Sequence, residues 1–278
     1  MPALLYEGRV EHGSHVPRAA RFAVATIFFV NGAGIANWVV RIPAVRDGLH
    51  LTTGTLGVAL LGMSVGALLA MPFVGWLVAR FGSRPLTFAS ALAFLAALPL
   101  PALAPSLPLL AAGLVVLGAS SAALGVSMNA HAVLVERRYD HPIMSSFHAL
   151  FSLGGMAGSA SGGALAALGL RPLPHLMLMA AVLAALSLVA LARLLPREAD
   201  ALGQHGPAFA RPSRTLLALG AMAFCVLLGE GAMADWTAVY LRDVLGTGPG
   251  LAAAGYGAFS LAMASGRLAG DALGRRLG

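Results

Sequence analysis

The sequence predicts an all-α polytopic membrane protein, and three observations predict it. Of its 278 residues, 58% are hydrophobic and only 10% are charged, with a mean hydropathy of +0.82; an average soluble domain has roughly a quarter charged residues. The apolar residues are gathered into runs of about twenty, the length an α-helix needs to cross the hydrocarbon of a bilayer. The charges fall in the short gaps between the runs. Strands of a membrane barrel would instead show alternation over about ten residues, and none is visible. Backbone polar groups in lipid must be satisfied within the segment, so the runs are expected to be helices.

Taken in order, the runs cover residues 21–42, 55–79, 86–104, 108–134, 145–170 and 173–195, then 216–241 and 250–270. The first is preceded by a polar tail, residues 1–20, and is longer than the apolar core of a cleaved signal peptide, so it reads as a retained first span. Residues 196–214 carry Glu198, Asp200, Gly206, Pro207, Pro212 and several arginines, which marks a polar linker. The division expected is therefore a tail (1–20), a six-helix bundle (21–195), a linker (196–214) and two further helices (215–278). Gly34, Gly62, Gly66, Gly118, Gly125 and the glycines from Gly154 to Gly163 lie inside spans, where small residues let helices approach closely.

All eighteen basic residues are arginine, and the net charge is +7. A nucleic-acid-binding surface would concentrate such charge on one solvated face with aromatics nearby, whereas here the arginines flank spans. Cytoplasmic flanks carry the excess of basic residues. With the N-terminus placed inside, Arg9, Arg18, Arg21, Arg80, Arg84, Arg137, Arg138, Arg193, Arg197, Arg211, Arg214, Arg267, Arg275 and Arg276 fall on the cytoplasmic side. Arg41, Arg46, Arg171 and Arg242 fall outside, and fourteen against four sets the expected orientation.

Enzymatic chemistry finds no footing. There is no His-Glu-x-x-His zinc signature, and the one cysteine, Cys225, lies in an apolar run and supports neither a disulfide framework nor a thiolate metal site. Gly62, Ser64 and Gly66 spell a Gly-x-Ser-x-Gly match inside an apolar span rather than on an exposing strand-to-helix turn. Without a lysine the chain cannot form a Walker-type ATP site. No cofactor or metal is expected, and any transport must draw on an ion or solute gradient.

Two pairings suggest an internal duplication. Asn37-Trp38 near the end of the first span is answered by Asp235-Trp236 in the seventh, 198 positions later. The charged stretch 75–84, reading Gly-Trp-Leu-Val-Ala-Arg-Phe-Gly-Ser-Arg, is answered at 266–276 with an offset of 192. Duplicated helical bundles are a habit of secondary transporters.

These residues resemble the major facilitator superfamily, whose loop between spans two and three has the pattern G-x-x-x-D-R-x-G-R-R. Gly75, Arg80, Gly82 and Arg84 match it, with Ala79 in the acidic place and Ser83 in one basic place. In the echo Asp271, Gly274, Arg275 and Arg276 match, while Arg267 stands at the leading glycine and Ala272 at the first arginine. Gly154, Gly158, Gly162 and Gly163 are similar to the family's glycine-rich fifth helix, with Ser159 where a proline is usual. Arg41-Ile42-Pro43, Met144-Ser145-Ser146-Phe147-His148 and the stretch from Gly229 to Trp236 look most like the MosC/YbjJ-like branch, distantly related to fucose-type sugar permeases.

The resemblance, running from residue 21 to the end, implies two six-helix halves around a central cavity lined by spans one, four, seven and ten. Of these the chain supplies one, four and seven, so it reads as a transporter truncated after its eighth span. It also implies a multi-pass protein of a bacterial plasma (inner) membrane with a cytoplasmic N-terminus. The function implied is secondary active transport of a small polar solute, a sugar or inositol derivative, with protons as the coupling ion. The partners are then the solute, the bilayer and a missing C-terminal portion of the same transporter. The alternative is a non-transporting remnant or scaffold-like membrane protein.

Glu230, in the middle of the seventh span between Gly229 and Gly231, is the sharpest candidate for chemistry. A charge there costs roughly 2.5 to 3.5 kcal/mol or more in hydrocarbon, so it reads as a proton-coupling or substrate carboxyl, or as a hydrogen-bonded structural one. Asp235 can pair with Arg242 or Arg41 as an outer gate, or be a solvated helix end. Asn31, Gly34 and Trp38 share a helical face. The amide and the indole suit a sugar-like ligand, against helix-to-helix hydrogen bonding for Asn31 and the interfacial aromatic belt for Trp38. Gly118, Ser121, Gly125 and Asn129 form a polar stripe on the fourth span. Ser145, His148, Ser152, Gly155, Ser159 and Gly162 form one on the fifth, with packing the plainer reading of both. His131 and His148 are expected near the cytoplasmic mouth, where a histidine can titrate near neutrality. Glu136, Arg137 and Arg138 with Arg80 and Arg84 can form an inner gate of ion pairs, or simply a charged loop. Since Ala79 leaves the first copy without its acid, a carboxylate for that loop must come from Glu136 or Asp140.

Overall fold

A computed structural model of the chain describes residues 17–196 and 213–277. Most of the N-terminal tail and of the central linker, with Arg9, Arg197 and Arg211, lies outside the described residues. The described residues form α1 (Arg18–Gly48), α2 (Thr53–Phe81), α3 (Ser83–Ala97), α4 (Leu100–Leu103), α5 (Leu107–Glu136), α6 (Met144–Ala167), α7 (Pro172–Leu191), α8 (Arg214–Asp243) and α9 (Pro249–Leu277). The third span is broken into α3 and α4 by Pro99 and Pro101, because proline cannot donate the backbone bond that would continue the helix. The eight expected spans are therefore all present as helices. α1 begins three residues before the expected span and continues six past it.

Local chemistry sets the ends. The Thr52 hydroxyl accepts the Thr55 amide at the start of α2, and the Ser213 hydroxyl accepts the Leu216 amide at the start of α8. Pro172 opens α7, where its fixed φ suits a first turn. The charged stretch 75–84 is not a loop. Residues 75–81 belong to α2, and the whole turn is Gly82, at φ 90°, which serves as the last cap of α2 and the first of α3. With a ψ of 160° this backbone is open essentially to glycine alone.

The helices pack as pairs. α2 lies along α5, α1 along α6, α3 against α5, and α6 also lies along α9. A Cβ on Gly118 would meet the Met63 backbone of α2, and one on Gly154 would meet the Phe29 carbonyl of α1. The close approach expected from glycine is realised in both pairs. Gly125 is the exception, since nothing lies within 4 Å of its missing side chain. The core runs from Val24, Ile27 and Phe28 of α1 through Phe94 of α3 and Leu114, Leu117 and Leu124 of α5 to Leu176 and Leu183 of α7.

Among the described residues, six helical stretches are long and apolar enough to cross a membrane by length and composition. α6 and α9 are not among them, because serines, glycines and, in α9, charges dilute their hydropathy. α6 is nevertheless walled in by α1 and α9. The most apolar stretch of α1 is 78% buried, whereas none of the corresponding stretch of α8 is. α1 is the axle of the first bundle; α8 touches the rest of the described chain mainly on α1 and α9, with Trp236 reaching Gly57 of α2.

Candidate functional site

Most of the serine and glycine stripe of α6 faces α9, while Gly162 meets Asn37 of α1 and His175 of α7. A Cβ on Gly155 would meet the Ser260 hydroxyl, one on Gly163 would meet Ala253, and one on Gly257 would meet Ser159. The plain packing reading of that stripe is therefore the one realised, and it draws the second unit against the first. At one end of this contact Arg267 of α9 makes three bonds. Its Nη2 donates to Glu230 Oε1 of α8 at 2.8 Å, and its Nη1 donates to Ser152 Oγ at 2.6 Å and to the His148 carbonyl at 3.3 Å, both on α6. The Arg267 and Glu230 side chains are each 22% exposed, so the pair is half-buried. A guanidinium that meets a carboxylate and two further acceptors offsets much of the cost of bringing either charge out of water. Tyr256, one wall further along, stacks on Phe259 at 6.1 Å and packs on Ala36 and Val39 of α1.

This geometry corrects one expectation. Arg267 was counted among the cytoplasmic flanking arginines and at a loop position of the echo; it sits inside the contact between units. Glu230, read as a coupling or a structural carboxyl, is half of an ion pair with it. His148 stands beside it, half-buried, with its ring edge-on to Phe28 at 5.3 Å. Asp235 pairs with neither proposed arginine: Arg242 reaches Asp47 at 3.2 Å, and Arg41 donates to His175.

The other candidates lie apart from this junction. Trp38 is 1% exposed in the core of the first bundle, away from any lipid interface, because α1 is surrounded at that level. Asn31 is 4% exposed and donates to Met128 Sδ at 3.9 Å, with its carbonyl oxygen unpaired. Asn129 is half-buried and donates to its own helix at Gly125. His131 is fully buried between helices rather than at a mouth: its Nδ1 lies 2.8 Å from Ser83 Oγ and its Nε2 accepts the Leu195 amide at 3.0 Å. The inner gate is replaced by a cap, since Glu136 accepts the amides of Ile143 and Met144 at the start of α6, at 2.7 and 2.6 Å. Arg80 lies over the rings of Trp76 and Phe81, and Arg84 lines a groove with Phe88 and Leu191. Asp140 lines a cavity of about 640 Å³ with Arg18, Arg21 and Tyr139. Gly75 faces open space. The side chains of Asp271, Gly274, Arg275 and Arg276 lie outside the described residues, although the backbone of α9 runs through them. Among the described residues no cluster of His, Cys, Asp and Glu is placed to hold a metal.

Two clusters were not foreseen. At the far ends of α1 and α8, Arg46 binds Asp243 in a two-pronged pair and also Asp47 at 3.0 Å, while Arg242 closes the ring onto Asp47. The signal was in the sequence: Arg46-Asp47 and Arg242-Asp243 repeat the same dipeptide 196 positions apart, between the offsets of the two recognised pairings. Deeper, Arg41 donates from Nε to His175 Nδ1 at 2.6 Å, His175 Nε2 meets Asn37 Oδ1 at 2.7 Å, and Asn37 donates to the Ala33 carbonyl. Arg41, counted on the outer side at the end of the 21–42 run, lies a further two turns from the end of α1 at Gly48 and is 4% exposed among the helices.

Comparison with known proteins agrees with this architecture. A family model described as Major Facilitator Superfamily matches residues 24–278. An uncharacterized MFS-type transporter of Yersinia pestis is 34% identical over 278 residues, which is 100% of this chain and 71% of that protein. An uncharacterized transporter of Sinorhizobium fredii is 36% identical over 92% of this chain and 68% of its own length. The membrane protein MosC of Rhizobium meliloti is 33% identical over 90% of this chain and 60% of its own.

Proposed function

We propose that this chain, which belongs to the Major Facilitator Superfamily and is a non-enzymatic multi-pass membrane protein of transporter type, serves gradient-driven movement of a small polar solute by alternating access. The observation that carries the reading is the bridge from Arg267 to Glu230 on one side and to Ser152 and His148 on the other. It joins α8 and α9 to α6, so it must be remade whenever the two units rock. Protonation of Glu230 removes the carboxylate that anchors Arg267 on α8 and aims it at α6, which links a proton to the movement. A solute with several hydroxyls, a sugar or inositol derivative, can accept from the guanidinium and donate to the carboxylate that the opening exposes. The site residues of this reading are Glu230, Arg267, Ser152 and His148. Trp38 is buried too deeply to stack on a ligand. The N-terminus lies in the cytoplasm of a bacterial cell and the Arg46–Asp243 ring on the outer face.

The test is uptake of radiolabelled myo-inositol and a panel of hexoses into proteoliposomes under an imposed pH gradient. Losing one charge-assisted bond, about 1.5–3 kcal/mol, predicts that Glu230→Gln slows accumulation about tenfold or more while leaving counterflow exchange. Undiminished accumulation by Glu230→Gln would overturn the coupling role. The scaffold alternative draws on α8, whose apolar stretch has no buried part; it is favoured if the 278-residue chain moves none of these solutes under any gradient.

A further inference from the structure

Between α1 and α7 the protein encloses a positive charge for which the described residues supply no negative partner. Arg41 Nη2 is buried with no acceptor. Its Nε is bound to His175 Nδ1, which must therefore be the bare nitrogen of a neutral ring whose other nitrogen donates to Asn37. α3, α4, α6 and α7, the helices packed around this face of α1, contain no acidic residue. Asp47 and Asp243, the acids at this end of the molecule, are held by Arg46 and Arg242. A lone enclosed guanidinium is unfavourable unless an anion completes it.

Space for an anion lies one helical turn further along α1. A cavity of about 590 Å³ is lined by Ala44, Val45 and Gly48 of α1, by Pro101 of α4, and by Arg171 and Pro174 at the start of α7. Positions 41, 44, 45 and 48 share one helical face, so Arg41 lies one turn beneath the cavity. Arg171 stands four residues before His175, on the same two-helix seam. Arg171 thus lines a space whose other walls are alanine, valine, glycine, proline and leucine, with Arg41 a turn away along α1, and its size suits a small ligand.

We propose that this cavity is a binding site for a small oxyanion carried on an apolar body, bound by Arg41 and Arg171 through its oxygens and by Pro101 and Pro174 through its carbons. The carboxylate of a free organic acid and the phosphate of an anionic lipid share that chemistry. The site lies within the first bundle, apart from the α6–α9 junction, and its existence does not depend on transport.

The test follows thermal unfolding of the 278-residue protein in neutral detergent, at fixed ionic strength. Sodium benzoate is titrated against benzamide, its neutral isostere, and phosphatidylglycerol against phosphatidylcholine in mixed micelles. The expected result is a saturable rise with the anionic member of at least one pair, about 3 °C at ten times its Kd, and none with the neutral member. A rise with benzoate identifies a free acid, and a rise with phosphatidylglycerol alone identifies a lipid. Arg171→Gln, at an exposed position, should fold normally and lose most of the shift, with Arg171→Lys keeping part of it. Arg41→Gln should abolish the shift if it folds, and Arg171→Gln decides the matter if it does not. Equal rises with charged and neutral members, or an undiminished shift in Arg171→Gln, would overturn the proposal.

Discussion

His131 ties three helices with one ring. Buried on α5, it holds the Ser83 hydroxyl at the start of α3 and the Leu195 amide just beyond α7. Replacing it with phenylalanine keeps the volume but strands that amide, a cost of about 1–3 kcal/mol. The melting temperature should fall by about 2–4 °C per kcal/mol; an unchanged thermal transition for His131→Phe would show that the amide finds another partner. Glycines on the same helix part company. Gly118→Val must push apart the backbones of α2 and α5, costing about 1–3 kcal/mol or more. Gly125→Ala meets nothing and removes backbone freedom from a helix interior, so it should stabilise by about 0.5–1 kcal/mol. The two substitutions, seven residues apart, are expected to move the same unfolding transition in opposite directions.

At the scale of the element, α6 is the helix to watch, since it is the least apolar of the first seven spans and the one enclosed on two sides. Its start is fixed by Glu136, whose carboxylate takes two amides that no helical carbonyl can reach and also suits the positive end of the helix. Glu136→Ala should cost about 0.5–2 kcal/mol, as the loss of a cap does. Amide hydrogen exchange should accelerate in the first turn of α6 and leave α5 unaltered. Exchange unchanged at Ile143 and Met144 would mean the cap contributes nothing. The sequence placed Glu136 among gate candidates because it sits in a run of charges, Glu136-Arg137-Arg138, and cap and gate look alike in one dimension. Only the turn back from residue 140 to 144 brings those amides to its oxygens.

For the whole molecule, contact between the two units is closed at one end by the Arg46, Asp47, Arg242 and Asp243 ring and lower down by Arg267. The ring is partly exposed, so each pair is worth only about 0.2–1 kcal/mol and weakens as salt shortens the screening length. Asp243→Asn should therefore leave the fold intact and widen the separation between spin labels at Leu49 and Leu245. Raising salt should widen it in the parent protein too, and a separation indifferent to both would remove the ring as a latch.

Much of this architecture is determined by the sequence alone, and for a simple reason: helices in lipid must satisfy their own backbones, so length and hydropathy alone mark the spans. Eight runs became eight helical spans, and the glycines at 118 and 154 announced close pairs. Pairing of charges was not determined, because it depends on which helical faces meet. Arg267 counted as a flank until the small residues of α6 and α9 brought it to Glu230. Arg41 counted only as a flanking charge until the fold buried it against His175. Trp38 looked interfacial from its place near the end of that run, and the helices around α1 made it core. A charge in a sequence has a position along the chain; its partner, its depth and therefore its role come only from packing.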